Sequence, residues 1–341
     1  MNRYSNLVAS LGDLAVIEFS GEDAPAFLHG QLTQDIAGLS SDHACLAGYC
    51  TAKGRLLATM VVWLGPQGDL PVLYALVKAD IAESIIKRLS MFVLRAKVKL
   101  RLADAKVWGI MMDTASVFDQ PGDSTHPAAN ASQSAAWHSR LLREAAVLST
   151  QPKPWQVART ATGVWIAAPS ADIGGARWWL ISKDAQSADG QPTAEAFNLW
   201  RAADISAGLP WIQAATQDVF IPQTLNLDLI NGVSFSKGCY PGQEVVARSH
   251  YRGTVKRRMA GGAILAPKHI ENIDTLAGVD VFDARKPAAP CGRIINAAGD
   301  AVVRVLMEVQ LSDLADADFR LGKADGPKIE RQPLPYDITA G

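Results

Sequence analysis

The stretch 234–258, SFSKGCYPGQEVVARSHYRGTVKRR, concentrates the residue types that could do chemistry. Cys239 stands between Gly238 and the run Tyr240, Pro241, Gly242, a turn whose glycines let backbone approach a ligand closely. Lys237 beside it would favour the thiolate, the nucleophilic form of cysteine. A nucleophilic enzyme would also need a base, and His250 is the nearest imidazole along the chain. The alternative is a small cysteine that packs a turn, because free cysteine is among the most buried residue types. Gln243 and Glu244 come next. One of them could hold a ligand while the other satisfies the loop, or both could serve a helix start, where a glutamate stabilises the dipole by about 0.3–1 kcal/mol.

Beyond them Arg248, His250, Arg252, Lys256, Arg257 and Arg258 gather positive charge. If part of this stretch is a strand, Arg248, His250, Arg252, Lys256 and Arg258 share a face. Such a stripe can bind phosphate, a polyglutamate tail or RNA, or it can be a solvated surface. The whole chain exerts no such pull: 33 Lys and Arg against 34 Asp and Glu give a net charge of −1. Any contact with nucleic acid must then be local. Cys45, Cys50, Cys239 and Cys291 contain no C-x-x-C pair and fit neither a disulfide scaffold nor a zinc finger. A metal or redox grouping of Cys45, Cys50 and Cys239 would lack a recognised ligand spacing. No apolar run reaches signal or membrane length, so the expectation is a cytoplasmic protein without a membrane segment.

These residues need elements to position them. LAVIEFS from Leu14 reads as a strand feeding a short helix that Pro25 can open. LAGYCTAKGRLLATMVVWLG and LPVLYALV read as a three-strand meander with a Lys-Gly turn. Asp80 and Glu83 predict a capping box on a helix whose Ile81, Ile85, Leu89 and Phe92 recur at helical spacing. AKVKLRLAD, GVWIAAPS and ARWWLIS read as further strands, and TAEAFNLWRAADIS as a helix closed by Gly208 and Pro210. The Ala-, Ser-, Asp- and Pro-rich segment 113–135 reads as a surface insertion or a short helix with loops. After Arg252 short strands and turns predict a small closed barrel or sandwich, with a domain boundary near 250. At 341 residues, two or three domains in an α+β architecture are expected.

The segment KGCYPGQEVVAR, 237–248, resembles the signature of the YgfZ proteins, folate-binding relatives of the glycine-cleavage T-protein that support iron-sulfur enzymes. FLHGQLTQDI (27–36), CTAKGR (50–55), FIPQTLNLDLINGVSF (220–235), CGRIINA (291–297) and PLPYDI (333–338) extend the resemblance over nearly the whole chain. It implies an α+β, aminomethyltransferase-like folate-binding fold: two intertwined mixed α/β lobes over 1–250 and a C-terminal β-barrel over 251–341. Tetrahydrofolate or a derivative would sit near the centre. The resemblance also implies a functional thiol in Cys239, assisted by Lys237, and cofactor contacts from Trp200, Gln223, Asn226, Gly238, Tyr240, Gly242, Gln243, Glu244 and Arg248. An indole such as that of Trp200 can stack on a flat pterin. The family's other aromatic platform corresponds to Leu14.

Departures from the T-protein bear on mechanism. Its aspartate after the first glycine turn has no counterpart in KGRLLATMVVW (53–63), and its glutamate at the AGL helix end corresponds to Ser206. Without those carboxylates the proton handling of aminomethyl transfer is missing. The resemblance therefore implies a non-hydrolytic, folate-dependent factor that supports assembly or repair of iron-sulfur enzymes, including those that thiomethylate tRNA. A folate-dependent one-carbon transferase is the alternative. A third reading is a tRNA-binding module using a weak contact through Arg248–Arg258.

Overall fold

The computed structural model describes residues 6–113, 133–171, 175–183, 193–251, 255–265, 267 and 270–338. Near-continuous apolar runs set up the first sheet, whose inner strands are buried on both faces. Its strands β2 (Leu14–Ser20), β3 (Cys45–Cys50), β4 (Leu56–Leu64), β5 (Val72–Lys78) and β6 (Lys99–Leu102) lie in the order β3-β4-β5-β2-β6. The expected meander is thus β3-β4-β5, antiparallel throughout. Helix α1 (Ala24–His29) follows β2 with proline in its first turn. Helix α2 (Ala79–Ser90) buries Ile81, Ile85 and Leu89 on one face.

The capping box at Asp80 does not form. Strand β5 runs into α2 without a loop, so extended Lys78 occupies the cap position, and the Asp80 carboxylate instead accepts from the Ala214 amide at 2.9 Å. Phe92 lies past the helix end and is exposed.

A second sheet contains β1 (Leu7–Ser10), β7 (Lys106–Asp113), β8 (Val157–Arg159), β9 (Val164–Ala167) and β10 (Gly175–Ser182), ordered β1-β7-β10-β9-β8. Helix α3 (Gln133–Leu148) packs on this sheet through Trp137, Leu141 and Ala145, which recur every four residues. The expected insertion, 113–135, lies outside the described residues apart from the backbone of Asp113 and of the first turn of α3. Helix α4 (Ala194–Ser206) is capped by Thr193, whose side chain accepts from the Ala196 amide, and Gly208 follows at φ +66°. That left-handed conformation suits glycine and ends the helix. Helix α5 (Gln243–Tyr251) precedes the third sheet.

The third sheet is antiparallel: β11 (Arg257–Leu265), β12 (Asp280–Asp283), β13 (Gly292–Gly299), β14 (Val302–Gln310), β15 (Phe319–Leu321) and β16 (Glu330–Gln332), ordered β15-β12-β13-β14-β11-β16. It is curled. The segment entering β16 bonds to β15, from the Ile329 amide to Phe319 O at 2.8 Å, before β16 pairs with β11. The two edges are tied together by one strand, which removes most of the open edge of the sheet. Met259, Ile295, Ala298 and Leu306 of this sheet join the core cluster of the first two.

Candidate functional site: the Cys239 loop and its supports

Separate sequence segments converge on the cysteine loop. The segment 27–36 supplies one wall: Thr33 Oγ1 donates to Gly232 O at 2.6 Å, the Ser234 amide donates to Thr33 O at 2.9 Å, and Gln34 Nε2 donates to Asn231 O at 2.5 Å. Lys237 crosses to the same wall. Its buried ammonium donates to His29 O, a carbonyl at the end of α1, and, at 2.7 Å, to Leu32 O just beyond the helix. It also lies 5.1 Å from the centre of the buried Tyr240 ring. Burial pulls the Lys237 amine down to about 8, against the opposing pull of Asp35 and Cys239. His29 presents Nδ1 to Asp35 at 3.2 Å and its Nε2 edge to Gly238.

The glycines expected to allow close approach do so toward protein backbone. At Gly242, φ +82°, a Cβ would lie 2.4 Å from Thr51 O and 2.6 Å from the Gly54 backbone. The CTAKGR turn and the start of α5 therefore touch backbone to backbone. From α5, Gln243 is half-buried and Glu244 is exposed, paired with Arg248 at 2.6 Å one turn on. His250 stacks on Phe235 with ring centres 3.7 Å apart, which ties the end of α5 to the irregular segment before the loop.

Cys239 is exposed. The other thiols are held protonated by burial: Cys45 is pushed up to about 12, Cys50 to about 12 and Cys291 to about 11. Among the described residues no group of three His, Cys, Asp or Glu converges as metal ligands.

Gln223 and Asn226 are fully buried, and their amides serve backbone. Gln223 Nε2 donates to Val246 O at 2.6 Å and so pins α5; Asn226 Nδ2 donates to Met259 O at 2.8 Å and pins β11. Asn226 itself sits at φ +59°, where asparagine is tolerated. Through these bonds both residues hold elements in place, while Gln223 Oε1 is buried without a hydrogen-bond partner among the described residues.

Trp200 is buried too. The Arg177 guanidinium lies 4.3 Å from its ring centre, and a Cβ at Gly109 would lie 2.4 Å from the middle of the indole. With the side chain only 1% exposed, the expected pterin platform is not open. Asp204, one turn along α4, accepts from Arg177 at 2.5 Å and from Trp211 Nε1 at 3.0 Å. Burial raises its carboxyl pKa in spite of Arg177. The spaces around this cluster, one bordering Ser206 and one bordering Lys78, are about 20 Å³ each, room for a water. Leu14 opens β2 opposite Lys78 and belongs to the core.

The basic stripe is also redistributed. Residues 243–251 are helical and a strand begins at Arg257, so Arg248, His250, Lys256 and Arg258 do not line one strand face; Arg252 lies outside the described residues. Arg257 forms a fork with Glu308 at 2.6 and 2.7 Å, and the buried Arg258 pairs with Asp228 at 2.6 Å. Paired guanidinium groups have little left for a phosphate. Sequence reasoning missed Arg177 and Asp204, although a lone aspartate in the apolar run AADIS and a lone arginine in GARWWLIS are signals of a buried pair.

No protein-family model matches the chain. Over 339 aligned residues, 97% of the chain and 92% of the relative, it is 28% identical to the "tRNA-modifying protein YgfZ" of Yersinia enterocolitica, and equally so to that of Yersinia pestis. The solved glycine cleavage system aminomethyltransferase T of Bartonella henselae superposes with a TM-score of 0.65, covering 98% of this chain and 87% of that one at 12% identity. The resemblance to YgfZ proteins thus extends along the whole chain, on the aminomethyltransferase fold.

Proposed function

We propose that this chain, similar throughout its length to tRNA-modifying YgfZ proteins, is a folate-binding accessory factor that supports iron-sulfur enzymes, including those that thiomethylate tRNA. The observation that carries the reading is the Cys239 loop. An exposed thiol is presented by a turn that Lys237, Thr33 and two abutting glycines fix in place, while the other cysteines are buried or half-buried. A rigidly supported, accessible thiol suits transient exchange with a client's sulfur or cluster. Folate enters through the fold, whose solved relative is an aminomethyltransferase. Aminomethyl transfer itself is disfavoured: no carboxylate stands in 53–63, and Ser206 turns its hydroxyl to Ala202 O at 2.9 Å. Direct tRNA binding through 248–258 is disfavoured by the pairing of Arg248, Arg257 and Arg258 with carboxylates.

The deciding experiment compares cluster-dependent tRNA thiomethylation in cells lacking the protein, carrying it intact, and carrying Cys239→Ala. The modification should fall in the first, recover in the second and fail to recover in the third while the variant accumulates normally. Full recovery with Cys239→Ala would remove the thiol from the function.

A further inference from the structure

The chain from Ser84 to Ala103 carries six basic residues, Lys87, Arg88, Arg95, Lys97, Lys99 and Arg101, and no acidic one. It forms the last turns of α2, a loop and the edge strand β6. At the tip of that loop Met91, Phe92 and Leu94 stand exposed, Leu94 to 87%. Leu89 before the tip and Val98 after it are buried, so the apolar run keeps its place in the core and only its middle is left in water. We propose that this tip and its flanking cations are the docking surface for the iron-sulfur enzyme that the chain serves, and that they take from it a segment with apolar side chains set among carboxylates. The proposal rests on the accessory-factor reading and gives the client a place to bind.

The tip is held from both ends. The Met91, Phe92 and Val93 amides donate to Arg88 O, Leu89 O and Ser90 O at 3.2, 2.9 and 3.2 Å, which carries α2 on as tight turns. On the far side the Lys97 amide donates to Asp23 Oδ2 at 2.7 Å, and Lys97 O accepts from the Asp23 amide at 3.3 Å. Apolar side chains presented on a fixed loop need little ordering when a partner arrives, which lowers the entropic cost of binding. Leu70, also exposed, comes to the same end of the sheet: Pro71 O accepts from the Gly21 amide, and Gly21 packs against Lys97 O.

Charge decides which partner fits. Lys97 pairs with Glu22 and Arg101 with Glu18, but Lys87, Arg95 and Lys99 are exposed and have no carboxylate partner among the described residues. Lys87 precedes Met91 by one helical turn, so cation and thioether share a face. Free cations beside bare apolar groups match carboxylates beside apolar groups, and such complementarity speeds encounter and fixes register. RNA would use the cations and leave the aliphatic Met91 and Leu94 without a partner, since it binds through phosphates and base faces. An anionic bilayer would use both, and position favours the protein. Arg88, in the last turn of α2, reaches the Tyr49 phenol; Tyr49 bridges to Leu32, and Leu32 O accepts from Lys237 of the Cys239 loop. The surface therefore adjoins the supports of the exposed thiol, which a client protein can use and a lipid headgroup cannot. Its small extent suits a contact that is made and released.

Biolayer interferometry between the full chain and the purified, cluster-loaded tRNA-thiomethylating enzyme of the same organism tests this. Phe92→Ser with Leu94→Ser should weaken binding at least tenfold, and Lys87→Glu with Arg95→Glu should weaken it as much and flatten its dependence on salt. Val147→Ser, which removes an equally exposed apolar side chain from α3 on the second sheet, should bind as the parent does. All these side chains are exposed, and thermal melts check that each variant is folded. Enzyme binding within twofold of the parent in the Phe92/Leu94 and Lys87/Arg95 variants would overturn the docking surface and leave the accessory reading standing. Variants that lose phosphatidylglycerol vesicles or tRNA while keeping the enzyme would assign the surface to a membrane or to RNA, with the same result. No binding by the parent would also overturn the docking surface, and if thiomethylation is normal in cells lacking the protein the accessory reading falls with it.

Discussion

At the residue scale, burial decides which sulfur can react. The thiolate is the reactive form, and burial holds Cys45 and Cys50 at about 12 and Cys291 at about 11, whereas Cys239 is exposed. Iodoacetamide at pH 7.5, about a unit below the ordinary thiol pKa near 8.5, should therefore label Cys239 first, as read by peptide mass mapping. Equal labelling of Cys45 would show that β3 opens readily. Lys237 is a second lever. Replacing it by Met removes the donor to His29 O and Leu32 O, and leaving buried carbonyls without a partner costs about 1–3 kcal/mol. The penalty should depend on pH. Folded Lys237 titrates near 8 against 10.5 for the free side chain, so between these values the unfolded chain holds more protons and the parent gains stability as pH rises. Urea titrations at pH 7 and pH 9.5 should show the parent gaining stability relative to Lys237→Met; a constant difference would mean that burial does not depress this amine.

At the scale of elements, the site is a junction of a helix end, a hairpin turn and a helix start. Gly242 and Gly54, both at positive φ, let the CTAKGR turn and α5 meet through backbone. Gly242→Ala would add strain in the left-handed region and a clash with Thr51 O, for a loss above about 1 kcal/mol. The expected result is a lower urea midpoint together with easier proteolysis of α5. An unchanged midpoint would mean that the turn gives way. Gln223 acts on the same helix from within: its amide meets Val246 O, so it holds α5 against the 222–225 turn. The side chain that the resemblance picks out as a ligand contact thus also supports α5 through its Nε2, with its Oε1 buried and unpartnered among the described residues.

For the whole molecule, buried ion pairs stitch the sheets together. Arg258, at the start of the third sheet, pairs with Asp228 and donates to Gln223 O at 2.9 Å. Arg177 of β10 pairs with Asp204 of α4. Removing one partner from such a pair strands a charge, at a cost of about 3–5 kcal/mol. Asp228→Ala should thus lower the melting temperature by many degrees, and Arg258→Met with Asp228→Leu together should recover much of the loss. Strictly additive losses would mean that the two charges are not coupled. Tyr336 joins the same region from the far end of the chain, donating to Gly208 O at 2.9 Å, which accounts for PLPYDI lying so far from the residues it serves.

The sequence by itself determined the elements whose signal is local. Short apolar runs bounded by turn residues fixed β2, β4, β5 and β10, the apolar spacing of Ile81, Ile85 and Leu89 fixed α2, and the glycine at 208 fixed the end of α4, because each of these depends on neighbours within a turn or a strand. The motif KGCYPGQE also marked the loop that carries the exposed thiol. Tertiary structure alone decided what surrounds each functional residue. Trp200, an open platform by its type, is buried against Arg177 and Gly109. The basic run 248–258, continuous along the chain, is split by the change from helix to strand; Arg248 pairs with Glu244 within its own helix, but Arg257 and Arg258 pair with Glu308 and Asp228 far along the chain. Charge and burial are set by partners distant in sequence, and a linear pattern does not encode which partners folding will bring.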